Sequence, residues 1–305
     1  MNNKQNIKFI HIGHHKTAST FIQTELIPKI HALKQVPGKR PDGQSNTRLR
    51  RAWINLVQCS NLYFELDEAR QAFAEVEFNC ISNEAFVGFG SLEAANGGHI
   101  DQSARRLREL FGETKILFVI RNQQHLIKSL YVDDVEFGYA ASFQDWFRTR
   151  LFNRQFDWFK FAPIIQTYQN YFGEANVRVE MYETIFTPGR FKDILLDFDV
   201  DPAGLENVNF DRRVNPGLNS VTVSASRLVN RFIGTRANMG NGFAYRFWTD
   251  RLRHVVNGAG VLFGATSPTL KWDEFEDDLQ HLFARDNRLV ADLTGLPLAS
   301  HGYIT

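Results

Sequence analysis

The chain has 305 residues, 43% of them hydrophobic and 23% charged, and a net charge of +1. This is an ordinary globular composition with ample apolar material for a core, and so small a charge excludes a bulk binder of nucleic acid or anionic membrane. Its two cysteines, Cys59 and Cys80, make neither a disulfide framework nor a metal-ligand spacing, so they are expected as reduced, buried thiols.

The N-terminal "MNNKQNIKF" has no apolar run of the signal-peptide kind. No apolar stretch approaches the roughly 18 residues that span a bilayer, and the protein is expected to be cytoplasmic with no integral membrane segment. Four strands are expected in chain order, at Ile7–Ile12, Asn79–Ser82, Lys115–Ile120 and Val177–Met181. Helical periodicity lies between them at Thr17–Leu26, Arg48–Gln58, Leu66–Val76, Asp101–Phe111 and Gln123–Phe137. Apolar strands separated by helices predict an α/β fold of three layers, with a central, mostly parallel sheet covered on both faces. Beyond Asp199 the pattern turns helical, at Leu218–Ile233, Phe243–Val256 and Glu274–Leu293. With no repeat and no linker, one domain is expected, comprising an α/β core over about 7–186 and a helical portion over about 200–305.

The first strand runs into "GHHKTAST", Gly13 to Thr20. A strand, a glycine turn and a helix opening on hydroxyl residues is an anion-binding geometry, because the first N–H groups of the helix lack internal partners. Against the P-loop pattern GxxxxGK[ST], Thr20 is retained, Ala18 stands for the second glycine, Ser19 stands for the lysine, and Lys16 comes three residues early. The same residues also read as helix N-caps beside a solvated lysine.

"KTAST" after a strand resembles the 5′-phosphosulfate loop of sulfotransferases that use 3′-phosphoadenosine 5′-phosphosulfate (PAPS), written Lys-[Ser/Thr]-Gly-[Ser/Thr]-[Ser/Thr]. Ala18 replaces the family's glycine. "KILFVIRNQQHLIKSLYVDD" adds an arginine at a strand end, Arg121, with Ser129 eight residues on; this is similar to the family's 3′-phosphate site. Tyr182-Glu183 is similar to a "YE" pair whose tyrosine lies near the adenine. The resemblance covers about Ile7 to Phe186. It implies a P-loop-like topology, PAPS as co-substrate and no metal. Lys16, Thr17, Ala18, Ser19 and Thr20 would lie on the 5′ end of PAPS, Arg121 and Ser129 on the 3′-phosphate, and Tyr182 by the base.

Sulfuryl transfer of this kind rests on positioning and electrostatics. Lys16 would neutralise the departing phosphate. Transfer also needs a base for the acceptor hydroxyl. Glu84, at the end of the second strand, is the first choice for that base, with His15 and His14 as rivals beside Lys16. Glutamate after this strand is a feature of carbohydrate-directed members, so the resemblance implies a carbohydrate acceptor, with another hydroxyl compound open. The competing readings are a P-loop-type small-molecule kinase using ATP and a non-catalytic relative that binds nucleotide or glycan.

Several other features carry less. The aromatic stretch Trp146–Phe172, with Arg148, Arg150 and Arg154, is expected in the core rather than on a glycan. "MGNGF" (Met239–Phe243) is too short to use, His254, His281 and His301 have no partners at ligand spacing, and "DEFEDD" (Asp273–Asp278) suits the positive end of a helix. The loops Lys34–Asn46 and Phe86–His99 are expected to border the acceptor site.

Overall fold

The computed structural model describes residues 6–36, 47–88, 99–212, 217–233 and 247–305. Its centre is a four-stranded, wholly parallel sheet of β1 (Phe9–Gly13), β2 (Cys80–Ser82), β3 (Lys115–Ile120) and β4 (Val177–Met181), in the order β2-β1-β3-β4. Phe9 pairs with Cys80 on one side and Lys115 on the other, and Ile120 pairs with Met181. The strands are apolar without alternation because both sheet faces are covered.

One face carries Ile10, Ile12, Ile116, Phe118 and Ile120. Against it pack α2 (Thr47–Gln58), α3 (Leu66–Ala74), α4 (Ile100–Phe111) and α7 (Phe161–Phe172). Phe9, Leu117 and Val119 face the other way. They meet α1 (Ser19–Phe21) with the turns that continue it, and α9 (Pro188–Asp197). The three-layer expectation is thus met. A third apolar cluster joins α5 (Gln123–Glu136) and α6 (Phe143–Phe152) to the last long helix, α12 (Glu276–Thr294), through Trp146, Phe147, Phe275 and Phe283. The remaining helices are α8 (Tyr182–Ile185), α10 (Ser220–Asn230) and α11 (Arg253–Leu262).

The topology fixes where a ligand gathers. From β1 the chain moves out to β2, then crosses back to β3 on the opposite side. The strand order therefore reverses between β1 and β3, and the crevice beyond their carboxyl ends is where open α/β sheets bind ligands.

Some expectations shift. The first helix starts at Ser19 rather than Thr17, and Ile22–Leu26 forms a wide π turn before a 3₁₀ turn at Ile27–Lys29. Pro28 is the cause, since it has no N–H for the carbonyl of Thr24 and its ring crowds that turn. The helix expected to end at Val256 runs on to Leu262, after a π turn at Trp248–Leu252. Cys80 is buried as expected, whereas Cys59 is only half-buried. The aromatic stretch is core: Trp146, Phe147, Phe156, Phe161 and Tyr168 are buried, while Arg150 pairs with buried Asp134 and Arg148 with Glu274. Among the described residues no helix is long and apolar enough to cross a membrane. "MGNGF" and most of the two expected border loops lie outside the described residues.

Candidate functional site

The turn after β1 is built on an obligatory glycine. A Cβ at Gly13 would come within 2.7 Å of Thr17 Oγ1, closer than packed atoms allow, and within 3.1 Å of the Val119 carbonyl, a tight contact. Two L-residues then take left-handed backbone conformations, Lys16 at φ 70° and Ala18 at φ 76°. Such angles cost a residue with a Cβ about 1–2 kcal/mol, so the loop is held in shape by its surroundings.

Those surroundings are visible. His14 is fully buried among Trp158, Phe159 and Phe161, with ring centroids 4.7–5.6 Å away, and its Nε2 lies 2.8 Å from the Trp158 carbonyl. Burial pushes its imidazole down to about 3, so it stays neutral and anchors the loop; the exposed face of the loop falls to His15 and Lys16. Thr17 is spent internally, with both its N–H and its hydroxyl donating to the His14 carbonyl, at 3.2 and 2.6 Å. It shapes the loop rather than offering a donor. The N–H groups of Ala18, Ser19 and Thr20 have no hydrogen-bond partner among the described residues, and Ser19 Oγ is buried without one.

Arg121, the first residue beyond β3, reaches the same place. Its Nη1 donates to the Lys16 carbonyl at 2.7 Å, and its guanidinium lies 4.3 Å from the centre of the Tyr182 ring. Its Nε is buried and unpartnered. The three sequence-predicted positions at the ends of β1, β3 and β4 therefore meet in one crevice. Ser129 lies two turns into α5 and is half-buried. Glu84 opens a 3₁₀ turn after β2, capped by Asn83, whose own N–H donates to the His11 carbonyl of β1 at 3.1 Å. It is therefore one strand away from the loop.

Four participants were not legible from motifs. Asp133 on α5 accepts a 2.6 Å ion pair from Lys16 Nζ, the two side chains being 23% and 37% exposed. His125 and Lys128 on α5 sit in the field of Arg121; burial first and that guanidinium second lower the pKa of each. The C-terminal segment closes the far side. Tyr303 donates to Glu183 Oε2 at 3.0 Å, the Asn122 N–H donates to Glu183 Oε1 at 3.0 Å, and Asn122 Nδ2 donates to the Gly302 carbonyl at 2.7 Å. Spacing holds a signal for the α5 set: His125, Ser129 and Asp133 fall at successive intervals of four, one helical face. The docking of Tyr303 has no such signal.

This arrangement fits a ligand with anionic groups at both ends. Unpartnered N–H groups and a buried hydroxyl lie at one end, and an arginine with a buried, unused N–H lies at the other, backed by Lys128. Among the described residues no group of three or more His, Cys, Asp or Glu is placed to hold a metal ion.

No protein-family model matches this chain, and no curated protein matches it. Loose likenesses in fold are found with solved structures, among them two sulfotransferase structures. One is a sulfotransferase from Alicyclobacillus acidocaldarius, at 14% identity over 69% of this chain and 87% of that one, with a TM-score of 0.47. The other is the sulfotransferase domain from the curacin biosynthetic pathway, at 12% identity over 96% and 99%, with a TM-score of 0.35. Likenesses this distant transfer no residue role.

Proposed function

We propose that this protein is a sulfotransferase that moves the sulfuryl group of PAPS to an acceptor hydroxyl, that of a carbohydrate in the first instance. The observation that carries the reading is the 2.7 Å bond from Arg121 to the Lys16 carbonyl. It brings the loop and the strand-end arginine into contact at the strand-order reversal, which supports one ligand reaching both rather than two independent sites. ATP has no 3′-phosphate for Arg121 and Ser129 to hold, so the pair favours PAPS over a kinase substrate.

In this scheme the loop N–H groups of Ala18, Ser19 and Thr20 hold the phosphosulfate, and Thr17 keeps the loop in shape. Arg121, Ser129 and Lys128 hold the 3′-phosphate, while Tyr182, under the Arg121 guanidinium, borders the base. The acceptor oxygen forms the new S–O bond as the bond from sulfur to the 5′-phosphate oxygen breaks, and the leaving oxygen takes the electron pair. Lys16 neutralises the charge that grows there, an electrostatic term usually worth a few kcal/mol of barrier. Glu84 receives the hydroxyl proton; His15, on the loop's open side, is the alternative base.

Thermal unfolding with 3′-phosphoadenosine 5′-phosphate, 5′-AMP and Mg·ATP tests the nucleotide half. The 3′-phosphorylated product should stabilise the protein far more than the other two, and Arg121→Ala should abolish that preference. Equal shifts for all three ligands would remove the 3′-site. Transfer from labelled PAPS to a mixed panel of glycosides tests the chemistry; Lys16→Ala should lower it by about 100-fold or more with the fold intact.

A further inference from the structure

On the β2 side of the loop, a cavity of about 190 Å³ opens between the helix that follows the loop and the end of β2. Gln23, Gln35, Trp53, Ser82 and Asn83 provide its polar lining, with two aliphatic side chains between them. Its place is set by the sheet: Ser82 ends β2, Asn83 is hydrogen-bonded to β1, Glu84 is the next residue, and Gln23 lies one turn beyond Ser19.

The chemistry of the wall is specific in three respects. First, among the described residues it contains no ionisable side chain, so a charged guest would lose its hydration with no counter-charge there to replace it. Second, the wall keeps both donors and acceptors in reserve. The Gln23 amide donates to the Ser82 carbonyl and hydroxyl, both at 3.2 Å, and its own carbonyl is unused. Asn83 Oδ1 accepts from the Ala85 N–H at 3.0 Å, which leaves its amide protons unused. Neither the Gln35 amide nor the Trp53 indole N–H has a hydrogen-bond partner among the described residues. A flat hydrocarbon guest would leave all of these unpaired, which is costly. A hydroxyl, donor and acceptor at once, satisfies them.

Third, the wall is rigid. Trp53 is wedged against Phe73 and Phe86, with ring centroids 4.7 and 5.7 Å away. Ser82 Oγ is held 2.7 Å from Nδ1 of His11, a fully buried residue of β1. The His11 Nε2 lies 3.7 Å from where a Cβ of Gly13 would be, so one imidazole spans from the cavity wall to the floor of the loop. The volume is smaller than the ~300–1,000 Å³ of pockets for drug-sized ligands, and suits a single small ring.

We propose that this cavity binds one uncharged polyhydroxy unit, a neutral sugar or polyol ring, with Trp53 as its apolar platform and Gln23, Gln35 and Asn83 as its polar contacts. Its role as the acceptor site rests on the sulfuryl-transfer reading above; the binding itself does not.

Ligand-observed NMR titration of the full chain with neutral methyl glycosides, the matching uronic-acid glycosides and a simple phenol tests it directly. Nucleotide affinity is measured in parallel with 3′-phosphoadenosine 5′-phosphate. A neutral glycoside should bind, the uronic acid and the phenol much more weakly, and Gln35→Ala should weaken the glycoside about fivefold while nucleotide affinity holds. Trp53→Phe keeps the packing on Phe73 and Phe86 but loses the indole N–H, and it should weaken the glycoside similarly. Nucleotide binding with no glycoside binding, or with uronic acid bound as tightly as its neutral partner, would overturn the cavity assignment and leave the nucleotide site standing. Glycoside binding that responds to Gln35, without nucleotide binding, would support the cavity and remove the sulfuryl-transfer reading.

Discussion

Ala18 is the position at which the loop can be tested without touching its charge. It sits at φ 76°, ψ 1°, a left-handed conformation, where a Cβ costs about 1–2 kcal/mol and glycine almost nothing. Ala18→Gly relieves that strain but loosens the unfolded chain, which offsets about 0.4–1 kcal/mol. The two terms leave a net gain of roughly 0.8 kcal/mol, or about 1 °C in the unfolding midpoint of a chain this long. The reference is Ala291→Gly, in the last turn of α12, a helical position where the same substitution should destabilise, by up to about 1 kcal/mol. Urea and thermal unfolding of the two variants side by side give the signs. If Ala18→Gly loses stability as Ala291→Gly does, the left-handed turn is wrong, and with it the equivalence of Ala18 to a glycine of an anion loop.

The Lys16–Asp133 pair is partly exposed, so it is worth no more than about 1 kcal/mol. Asp133→Asn, by freeing the ammonium and removing a negative charge, should tighten 3′-phosphoadenosine 5′-phosphate binding about two- to fivefold in a calorimetric titration; unchanged or weaker binding refutes that competition. Glu84→Gln should leave this nucleotide affinity intact and cut transfer from labelled PAPS by about 100-fold or more, and full transfer would move the base to His15. Burial holds His11 and His14 near 3, down from 6.5. The unfolded chain therefore takes up protons below pH 6.5 that the native one refuses, and stability is complete above pH 6.5 and declines as pH falls toward 3. His14→Gln should flatten this decline by about 1 kcal/mol between pH 7 and 5.5 in urea titrations, and an unchanged slope would show that His14 titrates freely.

The sheet was legible because its strands are apolar on both faces: Lys115–Ile120 and Val177–Met181 appear in the structure at the residues expected from the sequence. The end of the first helix was not, since one proline changes a hydrogen-bond pattern that hydrophobic periodicity does not register. The charged members of the site divide on the same principle. Lys16 and Arg121 stand next to strand ends, where local order dictates position. Asp133 shares a helical face with His125 and Ser129, but its pairing with Lys16, like that of Tyr303 with Glu183, bridges 117 and 120 residues respectively, and no local pattern encodes a partner at that separation. His14 shows the limit from the other side. Next to a lysine it reads as a polar loop residue, yet the fold encloses it in aromatic rings contributed by Trp158–Phe161.

That enclosure bears on how the site can work at all. Two left-handed L-residues within three positions would relax in a free peptide, and here the strain is opposed by the groups packed around the loop. His14 is held by the Trp158 carbonyl, Thr17 folds back on His14, and Arg121 grips the carbonyl of Lys16. Arg121 clamps the loop backbone and keeps a buried N–H unused, so on the proposed reading loop shape and 3′-phosphate recognition would depend on one side chain. A ligand anchored at its 3′ end would then steady the backbone that presents Lys16 and the N–H groups to its 5′ end. Binding of one end of the nucleotide would thus be coupled to the alignment of the other, the preorganisation that an electrostatically driven transfer requires.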